Sequence, residues 1–266
     1  MESAVTASGS AARWGPLWGA RARDWATVEE QQAPTYEEGL RRAGLERGQS
    51  VLDIGCGTGL FLALAAARGA RVHGVDASEA LAALARERVP DADVRIGEME
   101  ALPYEDDSFD VVMGFNSFFF ADDMVAALRE AARVAKPGAP VVLQVWGDPD
   151  RCDLEAMKGA VAPFMPTPPT DAPAPPELWR PGVLEEVAGA AGLRPESAFD
   201  LRWAYEFADD DALARALLSP GGIVRAVDLA GEDVVRAAIV DAMAPYRTPD
   251  GGYRLENEWH YLLARA

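Results

Sequence analysis

The amino-acid sequence predicts an α/β protein with a doubly wound, mostly parallel seven-stranded sheet, N-terminal helices and a helical or loop cap. Two observations support this fold class. From residue 50 onward, short apolar segments alternate with alanine-rich helical segments, which is the pattern of repeated β–α units around a parallel sheet. The first apolar segment also runs into three alternating glycines, Gly55, Gly57 and Gly59, before a helical segment begins.

Residues 1–45 are predicted to form an N-terminal helical cap. Apolar residues recur at helical spacing over residues 11–32 and 34–43, and the first of these segments carries three tryptophans. Ligands of open α/β sheets bind beyond the carboxyl ends of the strands. Because both helices lie outside the β–α units, we expect them to cover that crevice.

Residues 46–147 are predicted to form the α/β core, with five β–α steps. The predicted strands are residues 51–54, 71–75, 93–96, 109–115 and 139–146. The predicted helices between them are residues 60–67, 80–88 and 124–134, and Lys136-Pro137-Gly138 ends the last helix.

The remainder of the chain is predicted to contain a lid and the completion of the sheet. Residues 148–180 are dense in proline, above all over 163–176, which is too long for an ordinary connection and indicates an inserted loop or lid. Residues 181–266 then return to the sheet, with a helical insertion near 209–245. The predicted elements are helices at 181–191, 209–218 and 232–243, and strands at 196–207 and 252–264. The last strand alternates polar and apolar residues, which favours an edge-proximal or antiparallel position.

Composition restricts the classes of partner. The formal net charge is −18, whereas a protein that binds phosphate backbones needs a basic surface, so no nucleic-acid substrate is expected. No apolar run approaches the roughly 20 residues of a membrane-spanning helix, and the N-terminus lacks the features of a secretory signal, which predicts a cytoplasmic protein without a membrane partner. Cys56 and Cys152 are too few for a disulfide framework or a metal cluster, so we expect free thiols and no metal.

The segment from Val51 to Gly59 has the pattern of a ligand-binding turn. It reads Val-Leu-Asp-Ile-Gly-Cys-Gly-Thr-Gly, a buried strand that runs into the glycines and then a helix. Glycines there can adopt positive φ angles and let a carboxylate-bearing ligand lie against the backbone at the helix N-terminus. The spacing is G-x-G-x-G, which differs from the G-x-G-x-x-G of dinucleotide-binding proteins, and Asp53 precedes it.

This segment resembles motif I of class I S-adenosylmethionine-dependent methyltransferases, and residues 36–147 look like the core of that superfamily. The general resemblance is to the small-molecule branch that includes ubiquinone and menaquinone methyltransferases. It implies a Rossmann-like methyltransferase fold and S-adenosyl-L-methionine (SAM) as the cofactor. The residues that the resemblance assigns to cofactor binding in this first motif are Asp53, Gly55, Cys56, Gly57 and Gly59.

Three further segments carry the resemblance along the chain. Asp76, at the end of the second predicted strand, would accept hydrogen bonds from both ribose hydroxyls, while Ser78 is the better candidate for the helix N-cap. The other residues implied in cofactor binding are Ala77 and Leu81 beside the sugar and adenine, Glu98 and Met99 at the adenine, and Phe115 and Asn116 at the methionine portion. Glu98 stands where the superfamily usually has Asp, and an exposed acidic loop is the alternative interpretation of that segment.

Aromatic residues are the candidates for the walls of a substrate pocket, because methyl transfer benefits from close positioning and from exclusion of water around the sulfonium. The candidates are Trp14, Trp18, Phe119, Trp146, Phe164 and Trp179. General bases are scarce: His73 and His260 both lie inside predicted strands and are expected to be packed residues. The catalytic residues therefore stay unassigned, and positioning alone would suffice for an acidic phenol, an enol or an activated carbon.

The sequence thus predicts methyl transfer from SAM to an O, N or C atom of a small, apolar or aromatic metabolite, in a monomer or homodimer. Natural-product biosynthesis is one setting for such a reaction. Two alternatives stay open at this point. A SAM-bound enzyme that assists a cyclisation or rearrangement would keep the same fold, and a non-enzymatic protein would keep the fold without a working reaction centre.

Overall fold

The strands of the structure are β1 (Ser50–Ile54), β2 (Arg71–Asp76), β3 (Asp93–Ile96), β4 (Val111–Phe115), β5 (Pro140–Trp146), β6 (Arg194–Phe207) and β7 (Tyr253–Arg265). The structure is a computed structural model that describes residues 9–166 and 175–266. These strands form one sheet in the order β3-β2-β1-β4-β5-β7-β6. The pairs among β1 to β5 are parallel, and β7 is antiparallel to both of its neighbours. The predicted mostly parallel seven-stranded sheet is confirmed.

The helices of the described ranges are α1 (Gly9–Gly19), α2 (Ala22–Glu29), α3 (Ala33–Ala43), α4 (Leu60–Ala67), α5 (Glu79–Arg88), α6 (Met124–Val134), α7 (Glu155–Val161), α8 (Val183–Ala190), α9 (Asp210–Leu217), α10 (Gly221–Ala230) and α11 (Glu232–Met243). Helices cover both faces of the sheet, and accordingly all residues of β1 and β4 are buried. In the part of the chain that the structure describes, no helix has the length and apolarity to cross a membrane.

The strand order changes direction at β1, which lies between β2 on one side and β4 on the other. Such a switch point opens a crevice beyond the carboxyl ends of the two central strands. The glycine turn after β1 and the residues that follow β2 and β4 all lie at this crevice. The topology therefore places the predicted cofactor-binding segments together.

The prediction of one continuous helix over residues 11–32 is wrong. The chain turns at Ala20 and Arg21, and a short 3₁₀ segment, Glu30–Gln32, follows α2. The reason lies in the packing partners: α1 contacts α5 and α10, whereas α2 contacts α9 and α5. A single straight helix could not reach both sets of partners.

Helix α10 was not predicted, because Pro220-Gly221-Gly222 has the composition of a turn. In the structure Pro220 precedes the first helical residue with an extended backbone. A Cβ atom on Gly221 would lie 3.0 Å from the ring of Trp18, so the glycine allows α1 to pack closely on α10. Between β3 and β4, where no helix was predicted, residues 97–110 form turns and an isolated bridge between Glu98 and Ala101.

The last strand is antiparallel, as its alternating pattern predicts, and it is the second strand from the edge. It pairs with β6 from Tyr253 to Arg265, so β6 forms the edge of the sheet. Between β5 and β6, the predicted lid includes α7, which packs against α11. Residues 167–174 of that proline-rich stretch lie outside the described residues.

Candidate functional site

The glycine turn between β1 and α4 has a left-handed backbone at three positions. Gly55, Gly57 and Gly59 have φ angles of 83°, 54° and 81°, which are costly for residues with a side chain. The amide of Gly55 donates to the carbonyl of Val75 at 2.8 Å, which joins the turn to the end of β2. The positive φ angles expected of these glycines are therefore present, and they hold the backbone at the crevice.

Asp76 braces this turn from the end of β2. Its Oδ2 accepts from the amide of Gly57 at 2.9 Å, and its Oδ1 accepts from the amide of Ser78 at 2.8 Å. Burial raises the pKa of Asp76 to about 6, although the amides of Ser78 and Gly57 act in the opposite direction. The Ser78 hydroxyl accepts from the amide of Leu81 at 3.3 Å, so Ser78 is the N-cap of α5, as the sequence indicates.

Glu29, the last residue of α2, lies on the glycine turn and was missed by the sequence analysis. Its Oε2 accepts from the amide of Thr58 at 3.0 Å and from the Thr58 hydroxyl. The residue is only 2% exposed. Burial raises the pKa of Glu29 to about 7, while the bonds to Thr58 and the charge of Arg88 lower it and the charge of Asp76 raises it.

A sequence signal for Glu29 did exist. It follows Ala22 and Trp25 by seven and four positions, and residues at that spacing share one face of a helix. The side chain of the next residue, Glu30, is 56% exposed and pairs with Arg88 at 2.7 Å. The position of each residue around the helix axis therefore buries Glu29 and exposes Glu30, a difference that composition does not reveal.

Asp53 is the third buried carboxyl group at the crevice. It is 3% exposed, and its Oδ1 has no hydrogen-bond partner among the described residues. Burial, followed by the charges of Glu29 and Asp76, raises the pKa of Asp53 well above its ordinary value. The neighbouring Cys56 points toward β2, where a Cβ atom on Gly74 would lie 2.8 Å from its Sγ. The backbone of Cys56, rather than its thiol, therefore lies at the crevice.

Glu98, the predicted adenine acceptor, is bonded to the N-terminal end of α1. Its two carboxylate oxygens accept from the Ser10 hydroxyl at 2.6 Å and the Ala11 amide at 2.7 Å, and the Met99 amide donates to it at 2.9 Å. A cavity of about 30 Å³ lies between α1 and the strand ends. It is lined in part by Trp14, Asp76, Ala77, Glu98, Met99 and Phe120. Leu81 is buried in α5 and does not line it.

The two residues predicted at the methionine portion face different surroundings. The ring of Phe115 packs on Tyr36 and Phe61, at centroid distances of 4.5 Å and 5.0 Å, inside the core. Asn116, directly after β4, has a positive φ of 51°, a backbone conformation that asparagine adopts more readily than most residues. Within the described ranges, Oδ1 of Asn116 and Oγ of Ser117 are buried without a hydrogen-bond partner. Polar atoms that could bind a ligand therefore come from Asn116 and Ser117 rather than from Phe115.

The six aromatic residues predicted to line a substrate pocket do not form one wall. Trp14 and Trp18 both contact Phe120, at 4.8 Å and 5.5 Å, and Phe119 contacts the same ring at 4.7 Å. Trp146 stacks on Trp259 at 5.5 Å and, like Phe164, packs against a core cluster that includes Trp259. Trp179 contacts its neighbour Arg180 and joins neither group. The sequence analysis did not single out Phe120 or Trp259, which link these residues.

The histidines lie away from the crevice. His73 contacts Tyr104 and Phe109, and burial lowers its pKa. His260 is 6% exposed on β7, and its Nδ1 lies 2.7 Å from Asp200 Oδ1. In the described residues, no group of three or more His, Cys, Asp or Glu side chains has the arrangement of a metal site, and both cysteines are free and buried.

Comparisons with known proteins point to one family. A model of the methyltransferase domain matches residues 52–143, the segment that contains the glycine turn and Asp76. The chain is 33% identical over 147 residues, 54% of its length, to the dTDP-4-amino-2,3,4,6-tetradeoxy-D-glucose N,N-dimethyltransferase of Saccharopolyspora spinosa. It is 38% identical over 112 residues, 39% of its length, to the demethylmenaquinone methyltransferase of Halalkalibacterium halodurans. The matches span 57% and 45% of these two relatives, about half of their length.

A solved structure shares the fold over most of the chain. The crystal structure of the [4+2]-cyclase SpnF superimposes with a TM-score of 0.56 and 21% sequence identity. The match covers 88% of this chain and 80% of the cyclase. At that level of identity the likeness extends to the fold alone.

Proposed function

We propose that the chain, whose residues 52–143 match the methyltransferase domain, is a class I SAM-dependent methyltransferase of the small-molecule branch that transfers a methyl group from SAM to a small metabolite. One observation carries the proposal: Asp53, Asp76 and the glycine turn meet at the switch point of the sheet. The names of the two relatives give different acceptors: the nitrogen of an amino sugar in one case and demethylmenaquinone in the other. The acceptor atom is therefore left open as O, N or C.

The chemistry of the crevice fits this cofactor. SAM carries a sulfonium and an ammonium, both positive, beside one carboxylate. The buried groups that surround the glycine turn are the carboxyls of Glu29, Asp53 and Asp76, and burying carboxylates without a cation is costly. A ligand with excess positive charge would offset that cost, and Oδ1 of Asp53 is available to bind it.

The residues of this chain would bind and orient the cofactor as follows. Asp76 accepts from the ribose hydroxyls through the lone pairs that its bonds to Gly57 and Ser78 leave free. Ala77 and Met99 border the adenosyl moiety, and Asn116 and Ser117 supply polar atoms near the methionyl end. When bound, SAM supplies an electrophilic methyl group on a positively charged sulfur.

Helix α1 would exclude water from this crevice. Its first turn is bonded to Glu98, and the cavity beneath it measures only about 30 Å³, so α1 would have to move outward to admit a nucleoside and could then close over it. Closure around the sulfonium replaces water with protein atoms and keeps donor and acceptor in near-attack geometry. We propose that this positioning, rather than a histidine base, is the main contribution of the protein.

The acceptor that we propose is a small apolar or aromatic molecule, as in natural-product biosynthesis. The charge of −18 disfavours anionic partners such as nucleic acids. Trp146, the last residue of β5, is only partly buried and stacks on the buried Trp259, so its ring is a surface on which an apolar acceptor could pack. A cytoplasmic location and a monomeric or homodimeric state complete the proposal.

The test is a screen of small acceptors with methyl-labelled SAM, in which S-adenosylhomocysteine (SAH) and labelled product must appear together. Product without SAH would instead indicate SAM-assisted cyclisation or rearrangement.

Titration with SAH provides the binding test: Asp76→Ala should weaken affinity by about 1 to 3 kcal/mol, since bonds to a charged acceptor are lost. Asp91→Ala, at an exposed position before β3, is the matched control and should bind normally. If Asp76→Ala folds and binds SAH with unchanged affinity, Asp76 is not a cofactor ligand.

A further inference from the structure

Glu29 reaches the glycine turn from outside the core that the family model matches, which covers residues 52–143 only. It ends α2, and no segment of the methyltransferase resemblance includes it. Its Oε2 is occupied by the amide and the hydroxyl of Thr58. Its Oε1 lies over the face of Gly57, where a Cβ atom would come within 3.0 Å of that oxygen.

The surroundings of Glu29 contain an excess of negative charge. Asp76 and Asp53 interact with it electrostatically, and the cation that acts on it is Arg88, which bonds directly to Glu30. Buried carboxylates in proteins are normally paired with a cation or bound to several donors. Asp53, which interacts electrostatically with Glu29, is 3% exposed, and its Oδ1 has no hydrogen-bond partner among the described residues. Both features indicate a place for a positively charged ligand group.

We propose that Glu29 is a cofactor-positioning residue, whose Oε1 accepts a hydrogen bond from the α-ammonium of the cofactor's methionyl group. The inference rests on the proposed function, because it assumes that SAM or SAH binds at this crevice. It makes α2 part of the cofactor site, in addition to the strand ends of the core.

Glu29 also determines which way the methionyl group binds. The sequence analysis expected the amides of the glycine turn to receive a ligand carboxylate, but the Thr58 amide is already bonded to Glu29. A ligand carboxylate beside Glu29 would meet a like charge, whereas an ammonium would meet an opposite one. The ammonium is therefore directed toward α2 and the carboxylate away from it.

The opposite arrangement makes a different prediction. If Glu29 only occupied the Thr58 amide until a ligand carboxylate displaced it, then neutralising Glu29 would strengthen binding. The sign of the effect distinguishes a partner of the ammonium from a competitor of the carboxylate.

The experiment compares Glu29→Gln with the wild-type protein by calorimetric titration with two ligands. One is SAH, and the other is the SAH analogue that lacks the α-amino group. Glutamine keeps the size of the side chain and an oxygen for Thr58, so the variant replaces the charged Oε1 acceptor with an uncharged amide NH2 group. The affinity for SAH should fall about tenfold, as expected for loss of a charge-assisted hydrogen bond, while that for the deaminated analogue should stay within about twofold of the wild type. Glu30→Gln is the control and should bind both ligands normally.

Three results would overturn the proposal. Unchanged or tighter SAH binding by Glu29→Gln would rule out an ammonium contact. Equal weakening for both ligands would assign Glu29 a structural role in holding the turn. A wild-type protein that binds no SAH would refute the proposed function itself, and the inference with it.

Discussion

Gly57 is a residue at which backbone conformation and a neighbouring carboxylate both restrict substitution. Its φ of 54° is left-handed, and a Cβ atom would approach Oε1 of Glu29. Gly57→Ala should therefore destabilise the fold by about 1 to 2 kcal/mol through backbone strain and weaken SAH binding at least tenfold. Chemical denaturation and SAH titration measure the two effects.

Gly44 provides the matched control for this substitution. It has a similar φ of 67° at the end of α3, but a Cβ atom there would have no neighbour within 4 Å. Gly44→Ala should show the same loss of stability with normal SAH affinity. If Gly57→Ala also binds SAH normally, the glycine turn does not contact the cofactor.

The raised pKa of Glu29 makes stability depend on pH. The protonated carboxyl is favoured in the folded protein, so its contribution is complete below the ordinary pKa of 4.5 and is lost as the pH rises through about 7. Glu29→Gln cannot lose a proton, so it should match the wild type near pH 4 and exceed its unfolding free energy by about 3 kcal/mol near pH 8.

Urea denaturation at the two pH values checks this prediction. It also establishes that the variant used in the binding experiment is folded. A Glu29→Gln protein less stable than the wild type at pH 8 would show that the ionised carboxylate is favoured in the free protein, contrary to the effect of its burial.

At the scale of elements, α1 is the part of the structure that must move. Its Gly15 lies against α5, where a Cβ atom would come within 2.4 Å of the carbonyl oxygen of Ala77. That oxygen belongs to the backbone and cannot rotate aside. Gly15→Ala should therefore push α1 off the crevice, so that bound SAH dissociates several-fold faster and turnover falls because water is admitted.

Stopped-flow displacement of SAH measures the dissociation rate. Gly189→Ala, in α8, is the control, because a Cβ atom there meets nothing within 4 Å. It should raise stability by about 0.5 to 1 kcal/mol, as alanine does in place of helical glycine, and leave dissociation unchanged. Dissociation from Gly15→Ala at the wild-type rate would mean that α1 does not cover the ligand.

The edge strand β6 has features that oppose pairing with a strand from another molecule. It is long and exposed along most of its length, with burial only near its end. Ion pairs across the last two strands, Arg202 with Glu256 and Arg254 with Glu206, place charges along this edge. Charged side chains on an edge strand oppose pairing with another sheet. The number of subunits, one or two, stays a prediction.

For the whole molecule, the charge of −18 should affect SAM and SAH differently. SAM carries one more positive charge than SAH, so a negative protein attracts it more strongly, and salt screens that attraction. Between about 20 and 500 mM salt, the dissociation constant of SAM should rise about two- to threefold more than that of SAH. Parallel titrations at both salt concentrations test this, and a constant ratio would show that the net charge does not contribute to cofactor selection.

The local pattern of the sequence determined the fold class, most strand positions and the glycine turn. These features depend on nearby residues: apolar runs form buried strands, and three alternating glycines permit a left-handed turn. The N-cap role of Ser78 and the antiparallel β7 also follow from local pattern. The break between α1 and α2, and the existence of α10, did not follow, because packing partners distant in sequence decide them.

Tertiary structure alone decided which side chains share the crevice. It buries Glu29 on Thr58, bonds Glu98 to the start of α1, and divides the predicted aromatic wall into separate groups. The hydrogen bonds among these contacts join residues 29 to 88 positions apart, and no local periodicity encodes such distances. The positions of the strand ends were determined by the sequence, whereas the helices that cover them were placed by packing on α5, α9 and α10, which the sequence pattern does not specify.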